Sequence, residues 1–371
     1  MGTARADTSS ARIVFGSLNG LRFLLAIWIA YFHVGHMFDE NGFGNLPVLR
    51  MGISRVDMFF VLSGFVLTHV YWARRRGKFN FLDFMAARIA RIYPMYLVAL
   101  ALTGTYLIIG TALGKAPQTD YPVSDLLKCL FFLQAFGLTD TNAWNFPAWA
   151  VAAEMGGYVS FPLFIFAADR MRNHPWLLLA IAIGIVTAVQ AFLWDAFHIH
   201  MNLATTNWGA LRGASVMFCG AAARVAWDVY RPGRIGTYVG LAIGLAIAVV
   251  TALNQWGVPL IGLGAALLMM SLARLDADYG GTFLSTPLMQ RLGNWSYVIF
   301  ILHAPVYTIL VHGMSVVGIE FVANAWTSLA MTATIVAISG PIFNLIELPA
   351  RTRIRQAWQN FRGHRIAQAG L

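Results

Sequence analysis

Residues 18–38 read LNGLRFLLAIWIAYFHVGHMF, a run long enough to cross a bilayer that nevertheless carries Arg22, His33 and His36. At about 100° per residue, the eleven-residue step from Arg22 to His33 is three turns plus roughly 20°, so on a helix both side chains share one face. The same step rises about 16 Å, which sets His33 roughly halfway through a hydrocarbon core ~30 Å thick if Arg22 lies near one surface. Lipid penalises ionisable groups at that depth, so the stripe is expected to face a cavity or protein interior. A packing histidine bonded to a neighbouring backbone is the plainer account, and the aligned arginine favours a functional one.

Working outward, the 371-residue chain is 58% hydrophobic and only 11% charged, against roughly 25% charged in a soluble domain. This is the composition of a polytopic membrane protein. Its net charge of +10 does not point to nucleic acid, because the basic residues fall in short loops between apolar runs rather than on one folded face. Cys129 and Cys219 are too few for a disulfide framework and read as packing residues. The first apolar run is too long for a signal-peptide core and is expected to be retained.

Apolar runs place ten spans near 18–38, 54–73, 93–113, 147–168, 175–194, 207–227, 234–253, 257–273, 295–313 and 323–345. The segment 123–137 competes as an eleventh, but Asp125, Lys128 and Gln134 make it interfacial or re-entrant. With both termini inside, ten spans put 20 of the 26 Lys and Arg on the cytoplasmic side and four outside, with Arg22 and Arg212 within spans. That asymmetry supports the orientation, and an eleventh span would reverse everything after it. The expected fold is therefore an all-α bundle of about ten transmembrane helices, a single domain over 1–371 with short cytoplasmic tails at 1–17 and 350–371. Between the second and third spans, Leu82, Met85, Ile89 and Ile92 recur on one helical face. This predicts a short amphipathic surface helix ending at Pro94.

Several polar residues in this apolar setting are candidates for chemistry. Arg88 and Arg91, at i and i+3, can aim two guanidinium forks at one phosphorylated ligand, or anchor the helix to lipid phosphates. Ser63 and Gly64 sit at the centre of the second span, where they either permit close helix approach or line a narrow passage. Glu154 lies in the fourth span with Trp149 and Tyr158 beside it and needs a partner, for which Arg22, His33 and Arg212 are available. A buried ion pair and a catalytic carboxylate both fit. His303 falls within the ninth span, and Glu347 and Pro349 close the tenth. His198, His200 and His312 lack metal-site spacing, so no metal is expected.

Taken in order, these motifs resemble the membrane-bound acyltransferase family three, which includes bacterial O-antigen and exopolysaccharide O-acetyltransferases. The likeness covers nearly the whole chain. It rests on Leu18–Arg22, on Arg22 followed by His33, on Val56–Phe65 (VDMFFVLSGF), on Arg88 with Arg91, on Trp149 with Glu154, on Ser296, Tyr297, His303 and Pro305, and on Glu347 with Pro349. Asn19 stands where the family usually has Asp, which removes a charge partner for Arg22. Only Tyr158, after Gly157, remains of the aromatic pair often found after the glutamate.

The resemblance implies a multi-pass enzyme of the bacterial inner membrane. It would carry an acyl group, acetyl in the first instance, from cytoplasmic acetyl-CoA to a hydroxyl of a cell-surface polysaccharide or lipid-linked glycan precursor. In that scheme His33, Arg22 and Glu154 are catalytic, and Arg88, Arg91, Ser63 and Gly64 hold the donor. Trp149, Tyr158 and His303 face the acceptor. A transporter or flippase for an anionic or lipid-linked substrate, and a non-catalytic scaffold of a glycan-assembly complex, are the alternatives from other classes. Oligomeric state is not legible.

Overall fold

The computed structural model describes residues 13–38, 42–46, 52–73, 79–114, 120–139, 144–254 and 257–368. Arg5, Arg12, Arg74, Arg75, Arg76, Lys78, Arg50 and Lys115, which carry part of the orientation argument, lie outside them. The described residues fold into helices without a strand. In chain order these are α1 (Gly16–Phe38), α2 (Gly52–Thr68), α3 (Phe81–Ala112), α4 (Val123–Leu130), α5 (Trp149–Arg170), α6 (Pro175–Phe197), α7 (Gly209–Trp227), α8 (Gly233–Asn254), α9 (Val258–Asp278), α10 (Pro287–Val316), α11 (Ala325–Ile342) and α12 (Leu348–Gln368). Among the described residues nine helical stretches are long and apolar enough to cross a membrane. The remaining expected span, α7, is less apolar because it carries Arg212 and Arg224. It is nonetheless the central helix, with all but two of its 19 residues buried.

Helix α7 packs on α2, α5 and α6, and its small residues explain how. A Cβ added to Gly220 would stand 1.8 Å from Val61 O, and one added to Gly64 would stand 1.9 Å from Met217 O. Glycine at both positions lets the α2 and α7 backbones touch where they cross, the packing that membrane helices use when apolar burial alone does not drive association. Helices α1 and α10 run parallel, joined near their starts by Asn19 Nδ2 donating to Gln290 O at 3.1 Å and farther along by His33 and His303. Asn19, in the place of the family's usual Asp, is therefore a helix-pairing residue.

Two sequence expectations are adjusted. The break at Pro94 does not occur: α3 is one 32-residue helix with Pro94 inside it, so the amphipathic stretch is its first turns and not a separate surface helix. The span that follows supplies the neighbours that accommodate a proline, and at about 1.5 Å per residue the helix is ~48 Å long, enough to project beyond the hydrocarbon. The start is capped by Asn80, whose side chain accepts from Asp83 N at 3.0 Å. The expected tail after 350 is helical as well. A π turn over Phe343–Glu347 leads α11 into α12, which docks on the start of α3 through Trp358 Nε1 donating to Asp83 Oδ1 at 2.8 Å and an Arg362–Asp83 ion pair. The eight-residue α4 is too short to cross, in keeping with an interfacial or re-entrant segment. Cys129 and Cys219 are both free and buried.

Candidate active site

Two cavities lie in series along the bundle. The first, with about 490 Å³ of empty space, is lined by Arg22, Ser63, Glu154, Ser296 and Tyr297 among others. The second is lined by His33, His36, Phe146 and Trp149 among others. Val56, Ala150 and Phe300 line both and form the wall between them. The stripe from Arg22 to His33 thus runs from one cavity to the next, which is what their separation of about three turns dictates.

His33 is buried and pairs with the fully buried His303: Nδ1 of His33 is 2.6 Å from Nε2 of His303, and the rings stack at 4.9 Å and 9°. His303 in turn sets its Nδ1 3.2 Å from the Ile299 carbonyl. A carbonyl only accepts, so His303 Nδ1 carries the proton. With both rings neutral, His303 Nε2 is then the acceptor and His33 Nδ1 the donor. The chain of bonds leaves the His33 Nε2 lone pair free, on a residue that lines the second cavity. His303, expected to face an acceptor, touches His33 and fixes its tautomer. Sequence spacing gave no hint of this, because the two histidines are 270 residues apart.

The first cavity has the opposite character. Ser63 Oγ donates to Glu154 Oε1 in a short hydrogen bond, and Tyr158 lies in the electrostatic field of the same carboxylate. Arg22 lies in the electrostatic field of Glu154, Arg91 and Arg88. Glu347 lies in that of Arg91, Arg351 and Arg22. Four arginines from α1, α3 and α12 therefore converge around two carboxylates at the basic end of the bundle. Buried atoms there lack hydrogen-bond partners: Nε of Arg22, Nε of Arg88 and Oε2 of Glu347. Unused guanidinium donors beside an excess of positive charge fit an anionic ligand bearing phosphates. Glu347 and Arg351 were not assigned a site role from sequence; the helical continuation past the π turn brings them here.

The remaining candidates separate cleanly. Arg212 does not pair with Glu154. It forms a fork with Asp57, Nε to Oδ1 at 2.8 Å and Nη2 to Oδ2 at 2.9 Å, and its Nη1 donates to the carbonyls of Asn202 and Ala204. Trp149 lines the His33 cavity with its ring 5.1 Å from the Arg212 guanidinium. Gly64 meets α7 and is not among the residues lining either cavity, although its neighbour Ser63 is. Tyr158 lies with Glu154 and edge-on to Phe84 at 5.7 Å, on the arginine side of the wall. Among the described residues no three His, Cys, Asp or Glu side chains gather as metal ligands would.

Comparison with known proteins accords with this arrangement. A family model described as an acyltransferase domain matches residues 15–343. The acyltransferase MdmB of Streptomyces mycarofaciens is 26% identical over 369 residues, covering 90% of each chain. The peptidoglycan O-acetyltransferase OatA of Listeria monocytogenes is 23% identical over 376 residues, 94% of this chain but 57% of that one. The chain thus spans little more than half the length of the latter. The O-acetyltransferase OatA of Staphylococcus aureus, 22% identical over 362 residues, shows the same partial coverage, 57% of its length. No solved structure matches. With paired histidines and an arginine cluster on opposite sides of one wall inside a bundle of apolar helices, the chain belongs to the acyltransferase family and is a multi-pass membrane acyltransferase.

Proposed function

We propose that this chain transfers an acyl group, acetyl in the simplest case, from acetyl-CoA at the basic, cytoplasmic end to a hydroxyl of a cell-surface glycan or its lipid-linked precursor. The observation that carries the reading is the Ile299 carbonyl–His303–His33 chain, which leaves a basic nitrogen free in a cavity one wall away from an arginine cluster. Arg88 and Arg91 hold the donor phosphates, with Arg22 and Arg351 adding to the field. The pantetheine arm enters beside Ser63 and reaches past Phe300. His33 Nε2 takes the proton of the acceptor hydroxyl as its oxygen attacks the thioester carbonyl; the carbon–sulfur bond then breaks, and CoA leaves as thiolate. The imidazolium formed on His33 is steadied by His303, whose Nε2 accepts the Nδ1 hydrogen throughout. Arg22 lines the cavity that the arm enters and balances Glu154. Names of the relatives support the acceptor class, since the OatA proteins are O-acetyltransferases and one is named for peptidoglycan.

The test is covalent. Reconstituted protein given acetyl-CoA and membrane glycan should release CoA thiol and yield an acetylated glycan by mass spectrometry, and cells without the gene product should lose that modification. Thiol release from no acyl-CoA, with acyl transfer still observed in intact membranes, would move the donor to another class. Loss of neither acetylation nor thiol release in a folded His33→Ala protein would dismiss the base.

A further inference from the structure

A third cavity opens at the end of the bundle away from the arginines. Its walls include Tyr106 in the last turns of α3, Tyr121 and Trp144 from the connections on either side of α4, and Thr308 in the second half of α10. Tyr121 and Trp144 meet edge to face, 5.9 Å apart at 85°, and Trp144 Nε1 donates to Pro122 O at 2.8 Å, which fixes the indole. Asn145 also lines the space. Its Nδ2 donates to Ile301 O at 3.1 Å, and its Oδ1 is a buried acceptor with no donor. Thr103 spends its hydroxyl hydrogen on Ala99 O, so toward the cavity it offers lone pairs. Among the described residues no charged side chain lines it.

Aromatic walls, oxygen acceptors and neutrality together select one chemistry. A phosphate or nucleotide lacks a counter-charge here, and an acyl chain leaves the Asn145 acceptor unsatisfied. A pyranose ring has an apolar C–H face for the rings and hydroxyl donors for the oxygens. Phe146 joins this cavity to the reaction centre: it lines both the third cavity and the His33 cavity, with its ring 5.2 Å from His33 and 5.6 Å from His36. We infer that the Tyr106–Tyr121–Trp144–Asn145 cavity is an acceptor subsite that holds a neutral sugar ring next to the hydroxyl His33 deprotonates. The inference rests on the glycan-acceptor reading above.

Saturation-transfer NMR on the full chain, in a detergent without a sugar headgroup, tests it with methyl β-D-glucopyranoside and methyl N-acetyl-β-D-glucosaminide as probes and mannitol as the acyclic control. At least one glycoside should show transfer to its ring C–H protons and mannitol none. Binding should weaken about tenfold or more in Tyr106→Ala/Tyr121→Ala and persist in Tyr106→Phe/Tyr121→Phe. If the alanine pair does not fold, Thr308→Trp, which fills the cavity without removing a ring, should abolish the signal. Glycoside binding that is unchanged in these variants, or absent from the wild type, overturns the subsite. Mass spectrometry of cell glycans separates the two failures: a wild type that acetylates glycan without ring-dependent binding sinks the subsite alone, whereas one that acetylates no glycan sinks the acceptor reading with it.

Discussion

Arg22 and Arg212 look alike in sequence, each a lone guanidinium in an apolar run, and the fold uses them in opposite ways. Arg212 is fully enclosed and its fork is closed on Asp57, with two backbone carbonyls taking further hydrogens. Arg22 lines a cavity, keeps an unpartnered Nε and shares its surroundings with three other arginines. A closed pair has nothing left for a ligand; removing one member strands the other in low dielectric. An open cluster is under-satisfied until a ligand arrives. Residue type does not separate these two arginines, but their hydrogen-bond partners do.

Substitutions sharpen that contrast. The largest effect on turnover should come from the open side: His33→Ala is expected to lower the rate by about 10²- to 10⁴-fold with donor binding near wild type, and to cost about 1–3 kcal/mol of stability by stranding His303 Nε2. A stopped assay on purified protein, paired with a melting curve, reads both; near-normal turnover would leave the second cavity without a base. The closed side should behave in reverse. Arg212→Ala should cost about 3–5 kcal/mol of stability by stranding Asp57, and the double replacement Asp57→Leu/Arg212→Met should recover much of it. If Arg212→Ala melts like the wild type but loses activity, the division drawn here between the two arginines is wrong.

Smaller shifts are expected at the arginine cluster. Arg88→Ala should weaken acetyl-CoA binding by about 10- to 100-fold, since a hydrogen bond to a charged group contributes roughly 1.5–3 kcal/mol. Arg88→Lys should restore only part, because the planar fork is lost. Titration calorimetry showing equal affinity in all three proteins would make Arg88 a lipid anchor. The mildest test is pH. On the proposed mechanism His33 is the neutral base, with His303 and His36 as its titratable ring neighbours, so the rate should be full on the alkaline side and fall up to about tenfold per unit once acid protonates it. A rate that rises on acidification would assign His33 the role of acid instead.

The sequence by itself determined the membrane class, the order and approximate limits of the helices, the shared face of Arg22 and His33, and a set of motifs sufficient to suggest the family. These are local or additive properties: apolar length, helical period and residue spacing act along one stretch of chain. Tertiary structure alone decided the partners. Glu154 has three eligible mates in sequence, and the fold keeps Arg22 of these beside it and adds a hydrogen bond from Ser63. Gly64 had two readings, and contact with α7 selected helix packing. Only the fold brings His303 against His33, where it sets a tautomer. The continuous α3 and the helical extension after Glu347 bring arginines from both ends of the chain together. A hydrogen bond depends on ångström-scale placement of groups 90 to 270 residues apart, and no periodicity in the sequence encodes that distance.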